Sequence, residues 1–80
     1  MTSWASLTEE FLRQHPGEKF TAFQLVEYYE QFTSYDYSSE IIRAIANKHL
    51  RRLKKEGRVL QEGYTFGPDR RSHYMVWRAV

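Results

Sequence analysis

The chain has 80 residues, of which 16% are aromatic, and this length and composition predict one folded domain over residues 1–80 and exclude a disordered tail. Cysteine is absent, which excludes a disulfide framework, a thiolate zinc site and a thiol nucleophile. The net charge is only +2, but residues 1–40 sum to −5 and residues 41–80 sum to +7, an asymmetry that predicts a basic face for a polyanionic partner.

The first predicted element is a helix from Ser3 to His15, in which apolar residues recur at helical spacing. Pro16 and Gly17 then end it. Ser6 and Glu9 have the spacing of a capping box for a late start of this helix.

Residues 18–21 are too few for more than a bridge of strand. Thr21 and Gln24 form a second capping-box pattern, which predicts a helix over residues 22–32. Its buried stripe is expected to consist of Leu25, Tyr28 or Tyr29, and Phe32.

A third helix is predicted from about Ser39 to Glu56, with Ser38 as its N-cap and Gly57 as its left-handed C-terminal cap. Steps of 100° per residue divide it into two faces. The apolar face contains Ile42, Ile45, Ala46, His49, Leu50 and Leu53. The polar face is almost wholly cationic and contains Arg43, Ala44, Asn47, Lys48, Arg51, Lys54 and Lys55.

Two runs rich in β-branched and aromatic residues follow, over residues 58–66 and 72–80. They predict an antiparallel hairpin that turns at Gly67 and Pro68. Arg70, Arg71 and His73 fall at its tip and on its descending arm, and Trp77 is expected to close the core.

This order of elements, and above all "HLRRLKKEGRVL" followed by "HYMVWRAV", resembles the winged helix-turn-helix family of DNA-binding domains. The resemblance covers nearly the whole chain. It implies an α+β fold in which a three-helix bundle is followed by a C-terminal two-stranded β-hairpin, the wing. It also implies that the third helix enters the DNA major groove while the wing reaches adjacent backbone or a minor groove.

The residue types on the third helix suit that contact. Arginine can form two parallel hydrogen bonds to guanine, asparagine can do the same to adenine, and lysine neutralises phosphate. A small Ala44 lets the helix approach the bases, and serines at the helix start can bind phosphate. A face that only meets water usually mixes both signs of charge, although Lys54 and Lys55 would suit a helix C-terminus without DNA. The candidate DNA-binding residues are Ser38, Ser39, Arg43, Ala44, Asn47, Lys48, Arg51, Lys54, Lys55, Arg70, Arg71 and His73.

The sequence therefore favours double-stranded DNA as the partner, for a small transcriptional regulator or an accessory factor of replication or recombination. A homodimer through the first helix, near Trp4, would enlarge the small footprint of one such module. The alternative is a protein-interaction module, which would dock a basic partner or mimic nucleic acid through an acidic, tyrosine-rich surface of Glu27, Tyr28, Glu30, Tyr35 and Asp36.

Several function classes are not expected. The three histidines lack nearby ligands at metal-binding spacing, and no catalytic motif is present, so we expect no enzyme activity, metal or cofactor. No apolar run approaches the roughly 20 residues of a membrane span, and the N-terminal residues do not resemble a signal peptide. A cytoplasmic location is expected, on the nucleoid in a bacterium or in the nucleus in a eukaryote.

Overall fold

The computed structural model describes residues 3–33, 37–66 and 73–80, without the side chains of Ser39, Phe66 and His73. Within this part of the chain the fold is α+β, with three helices and one antiparallel three-stranded sheet. In chain order the elements are α1 (Trp4–Gln14), β1 (Lys19–Thr21), α2 (Ala22–Glu30), α3 (Ser39–Lys55), β2 (Val59–Phe66) and β3 (His73–Ala79). The predicted turn at Gly67 and Pro68 lies outside the described residues.

The sheet has three strands in the order β1-β3-β2, so the prediction of a two-stranded sheet is wrong. The expected antiparallel pairing of β2 with β3 is present. In addition, β1 pairs with the other edge of β3 and sets Phe20 opposite Trp77. The three residues of β1 are too few to show the alternation of buried and exposed side chains that marks a strand. Their pairing partners on β3 are also remote in sequence. Both rings are only 2% exposed, so burial of Phe20 against the core accounts for this strand.

The start of α1 agrees with the predicted start at Ser3 and excludes the late start. Its N-cap is Ser3, whose Oγ accepts a hydrogen bond from the backbone N–H of Ser6 at 3.0 Å. The capping box on Ser6 and Glu9, which required a late start, is therefore absent, because the helix begins one turn earlier. Glu9 instead lies within α1 and pairs with Arg58.

The capping box that opens α2 is confirmed. The Thr21 N–H donates to Gln24 Oε1 at 2.8 Å, and the Gln24 N–H donates to Thr21 Oγ1 at 3.3 Å. The helix ends at Glu30, two residues before the predicted end. Phe32 consequently lies beyond the helix and is 54% exposed, so its predicted burial is wrong.

Both ends of α3 agree with the sequence prediction. Ser38 is the N-cap, and its Oγ accepts from the Ile41 N–H at 3.3 Å. At the other end Gly57 has a φ of +75°, and the N–H of Arg58 returns to the carbonyl of Leu53 at 2.9 Å. This is the Schellman arrangement, in which glycine adopts the left-handed conformation at little cost.

The apolar face of α3 forms one side of the core. Its buried members are Ile42, Ala46, Leu50 and Leu53. They belong to the same cluster as the inward residues of α1, α2 and the sheet, including Leu25, Tyr29 and Trp77, which confirms that Trp77 closes the core. None of the helices within the described ranges is long and apolar enough to cross a membrane.

An ion pair joins α1 to the segment that follows α3. The guanidinium of Arg58 donates two hydrogen bonds to the carboxylate of Glu9, and these bonds hold the pKa of Glu9 below its ordinary value of 4.5. Since the pKa is lower in the folded state, the pair stabilises the fold fully above pH 4.5 and less as the pH falls through the folded-state pKa.

We therefore expect Glu9→Gln to lower the melting temperature at pH 7, with the difference from wild type shrinking toward pH 3. Thermal unfolding followed by circular dichroism across this range checks the prediction. Glu10→Gln is the matched control, because the one ion pair of Glu10 with a described residue is an exposed i,i+3 pair with Arg13, and such pairs contribute little. A difference for Glu9→Gln that stays constant with pH would contradict the assignment.

Candidate nucleic-acid interface

The polar face of α3 is exposed along the length of the helix. Arg43, Ala44, Lys48, Arg51, Lys54 and Lys55 are all exposed, and Asn47 is half-buried. We call these seven residues the basic face. Part of it, together with Arg52, lines a shallow depression of about 300 Å³. Because the opposite face of the helix is packed in the core, the basic face is held outward.

The cations of the basic face differ from most other basic residues in their partners. Arg13, Arg52, Arg58 and Arg78 each pair with a glutamate. Among the described residues, no acidic side chain pairs with the five cations of the basic face, namely Arg43, Lys48, Arg51, Lys54 and Lys55. Their charge is therefore not neutralised locally and acts on the solvent side of the helix.

Two further residues of α3 lie outside the basic face. Arg52 is directed toward Glu56, with 3.9 Å between Nε and Oε2, and 58% of its side chain is exposed. His49 lies at the core edge, where burial and the charges of Arg52 and Lys48 lower its pKa below 6.5. The lowered pKa favours the neutral imidazole.

Side-chain contacts link the basic face to the sheet. The guanidinium Cζ of Arg43 lies 5.2 Å from the centroid of the Tyr74 ring on β3. The Tyr74 ring in turn contacts Phe23, at the start of α2, with 5.8 Å between centroids. Near the other end of the helix, Lys54 Nζ donates to Gln61 Oε1 on β2 at 3.1 Å. The exposed surface thus continues from α3 onto both strands of the hairpin.

Of the other predicted site residues, the structure describes Ser38 in full and only the backbone of Ser39 and His73. Ser38 is exposed, and although its Oγ accepts from the Ile41 N–H, its hydroxyl proton can still be donated to a ligand. The backbone of Ser39 begins α3, and that of His73 begins β3 opposite Phe66. Arg70 and Arg71 lie outside the described residues.

The acidic surface of the alternative hypothesis is brought together only in part. Glu27 and Glu30 are exposed on α2. Tyr28 is half-buried, its ring packs between Phe11 and Phe32, and its hydroxyl accepts a 3.4 Å hydrogen bond from Gln14. Tyr35 and Asp36 lie outside the described residues. Tyr28 therefore serves the packing between helices as well as the surface.

Tyr74 and Phe23 also contribute to this surface, which the sequence did not predict. Tyr74 is half-buried, and its ring faces Arg43. Nothing in the local pattern of β3 signals this contact, because Arg43 and Tyr74 belong to different elements. The weak signal was compositional, since Tyr combines an apolar ring with a polar end that suits a half-exposed position.

The chemistry of the basic face is that of a donor surface. Two arginines offer planar sets of N–H groups, three lysines offer ammonium groups, and Asn47 adds an amide that can both donate and accept. Within the described ranges, no three histidine, aspartate or glutamate side chains come together as they would around a metal ion.

Comparisons with protein-family models, with curated proteins and with solved structures find no significant match to this chain.

Proposed function

We propose that the protein binds double-stranded DNA, with α3 in the major groove and the hairpin of β2 and β3 on adjacent backbone or minor groove. The observation that carries the proposal is the set of five cations on the basic face without a described acidic partner. Unpaired cations on one side of a helix attract a polyanion, and releasing its counterions supplies much of the binding free energy.

The dimensions of α3 support this docking. A helix with its side chains is about 10–12 Å across and matches the roughly 12 Å width of the major groove. Arg43, Asn47 and Arg51 follow at intervals of four residues, which corresponds to about 6 Å along the axis. Beside them, Ala44 leaves room for the helix backbone to approach the base edges.

The order of elements supports a winged-helix type of domain. A helix, a short strand, two further helices and a hairpin follow one another along the chain, and the hairpin contacts the basic face through Gln61 and Tyr74. In this proposal Arg70, Arg71 and His73 supply the contacts of the wing. Ser38 and Ser39 supply phosphate contacts at the start of α3.

A domain of this size would act by occupying DNA, as a compact transcriptional regulator or as an accessory factor of replication or recombination. One module has a small footprint, so specific binding at physiological salt would call for a second copy or for cooperative neighbours.

A salt titration tests the proposal. Fluorescence anisotropy with a labelled random-sequence duplex should show an affinity that falls by roughly 40- to 500-fold between 50 and 200 mM salt, as three to five phosphate contacts require. Undetectable binding at low salt would contradict the proposal. In that case, binding of a lysine-rich peptide that is lost in Glu27→Gln/Glu30→Gln would favour the protein-interaction alternative.

A further inference from the structure

Arg43 is the one cation of the basic face that, among the described residues, has an aromatic ring as its partner. Its Cζ lies 5.2 Å from the centroid of Tyr74, within the range of a cation–π contact. Tyr74 is half-buried on β3, and its ring is backed by Phe23, which is 37% exposed. The ring therefore contacts both Phe23 and Arg43, at the junction of α3 with the hairpin.

The type of partner decides which groups of an arginine remain usable. A carboxylate occupies the N–H groups, as Glu9 does with those of Arg58. An aromatic ring attracts the guanidinium electrostatically and can support its flat face, while the N–H donors point outward in the guanidinium plane. The contact with Tyr74 therefore restricts the Arg43 side chain without using up its donors.

Such a restriction matters for reading a base. A free arginine side chain loses much rotamer freedom when it is fixed in one geometry, and a bidentate contact to guanine requires one orientation of the guanidinium. Lys48, Arg51 and Lys55 have no described side-chain partner that would orient them. Mobile side chains of this kind can still contact phosphates, because a phosphate contact does not require one fixed orientation of the cation. Arg43 thus differs from these three residues in having a contact that restricts its side chain before any ligand binds.

We propose that Tyr74 is a positioning residue, which orients Arg43 to contact guanine in the major groove and so contributes to sequence discrimination. The inference rests on the proposed function, since it requires that the basic face bind duplex DNA. It adds to that function a link between the two DNA-binding elements, because the residue that orients a side chain of α3 belongs to β3.

The test compares ring-containing and ring-free variants of position 74. Tyr74→Phe keeps the ring, Tyr74→Leu removes it, and Tyr74→Ile is a second ring-free variant because β-branched residues suit a strand. Each is made in the wild-type and the Arg43→Ala backgrounds, and circular dichroism checks that it is folded. A duplex selected by the wild-type protein from a randomised pool and a duplex of random sequence are the two ligands.

The first readout is made without DNA. In the wild type and in Tyr74→Phe, the Nε–H proton of Arg43 should show an NMR shift displaced by the ring current, and the ring-free variants should lose this displacement. An Arg43 signal that is identical in all variants would overturn the orienting contact, whatever the protein binds.

The second readout is the ratio of affinities for the selected and random duplexes. The ring-free variants should lower this ratio by roughly two- to fivefold, the factor that an exposed cation–π contact supplies. Tyr74→Phe should keep it, and the salt dependence should stay unchanged in all of them. In the Arg43→Ala background, removal of the ring should cause no further loss.

Three further results, from the binding measurements, would overturn the inference. Equal ratios for Tyr74→Leu and wild type would show that orientation of Arg43 does not matter. An equal loss in both Arg43 backgrounds would show that Tyr74 acts independently of Arg43. A wild-type protein that binds no duplex would remove both the proposed function and this role, whereas the first two results leave DNA binding in place.

Discussion

Replacing Lys48 and Arg51 together by alanine should weaken duplex binding by roughly 30-fold at 0.15 M salt and reduce the salt slope by about two, if each side chain neutralises one phosphate. Both side chains are exposed, and neither pairs with a described acidic residue. Their removal should leave the fold intact, because alanine is the best helix former. Anisotropy titrations at several salt concentrations measure the affinity and the slope.

A charge-matched control separates a local interface from general attraction. Arg13→Ala/Lys19→Ala removes the same charge from the end of α1 and from β1, where both side chains are exposed. The salt slope of this variant should stay close to that of the wild type. Equal reductions for the two double variants would mean that net charge, and not the basic face, governs binding.

Leu50→Ala should lower the free energy of unfolding by about 3 kcal/mol, within the range of 2–5 kcal/mol for truncation of a buried leucine. Leu50 is 0% exposed and belongs to the core cluster. A domain of this size has a total stability of roughly 4–12 kcal/mol, so the melting temperature should fall by roughly 10–25 °C. Thermal and urea unfolding followed by circular dichroism measure the effect.

Ile41→Ala is the matched control for this loss. Ile41 lies on the same helix, nine positions earlier, but its side chain is 50% exposed. The substitution also replaces a β-branched residue by a better helix former. The free energy of unfolding should therefore change by less than about 1 kcal/mol. Comparable losses for the two variants would contradict the placement of α3 on the core.

The helices could be predicted well because their signals are local. The capping box of Thr21 and Gln24, the N-cap Ser38 and the left-handed Gly57 all act within a few residues of the helix end that they define. At α1 two serines have the spacing of an N-cap, and Ser3, at the predicted start, is the one that caps the helix.

The sheet was harder to predict because its pairing is remote. Nothing in Lys19–Thr21 distinguishes a strand from a linker until β3 is placed beside it. The burial of Phe20 against Trp77 decides the question, and this contact depends on the packing of the whole chain rather than on a local period.

In the candidate site, too, local features could be predicted from the sequence, whereas contacts between elements could not. The periodicity of α3 predicted which cations share one side of the helix, and the exposed side chains of Lys48, Arg51 and Lys55 agree with it. Which of them has a partner depends on neighbouring elements. The contact of Arg43 with Tyr74 could not be read from spacing along one helix.

The central position of β3 has a consequence for how the chain folds. This strand comes last in the sequence of elements, yet it is the one that both other strands require. The pairing of Lys19 with Arg78 spans most of the chain, so forming it closes a long loop, a step that slows folding. During synthesis the helices can form early, but the sheet can assemble only after His73–Ala79 have left the ribosome. The sheet should therefore assemble after the helices have formed, and fragments that lack β3 should expose Phe20 and Val59, which pair with Trp77 and Ala79 of that strand.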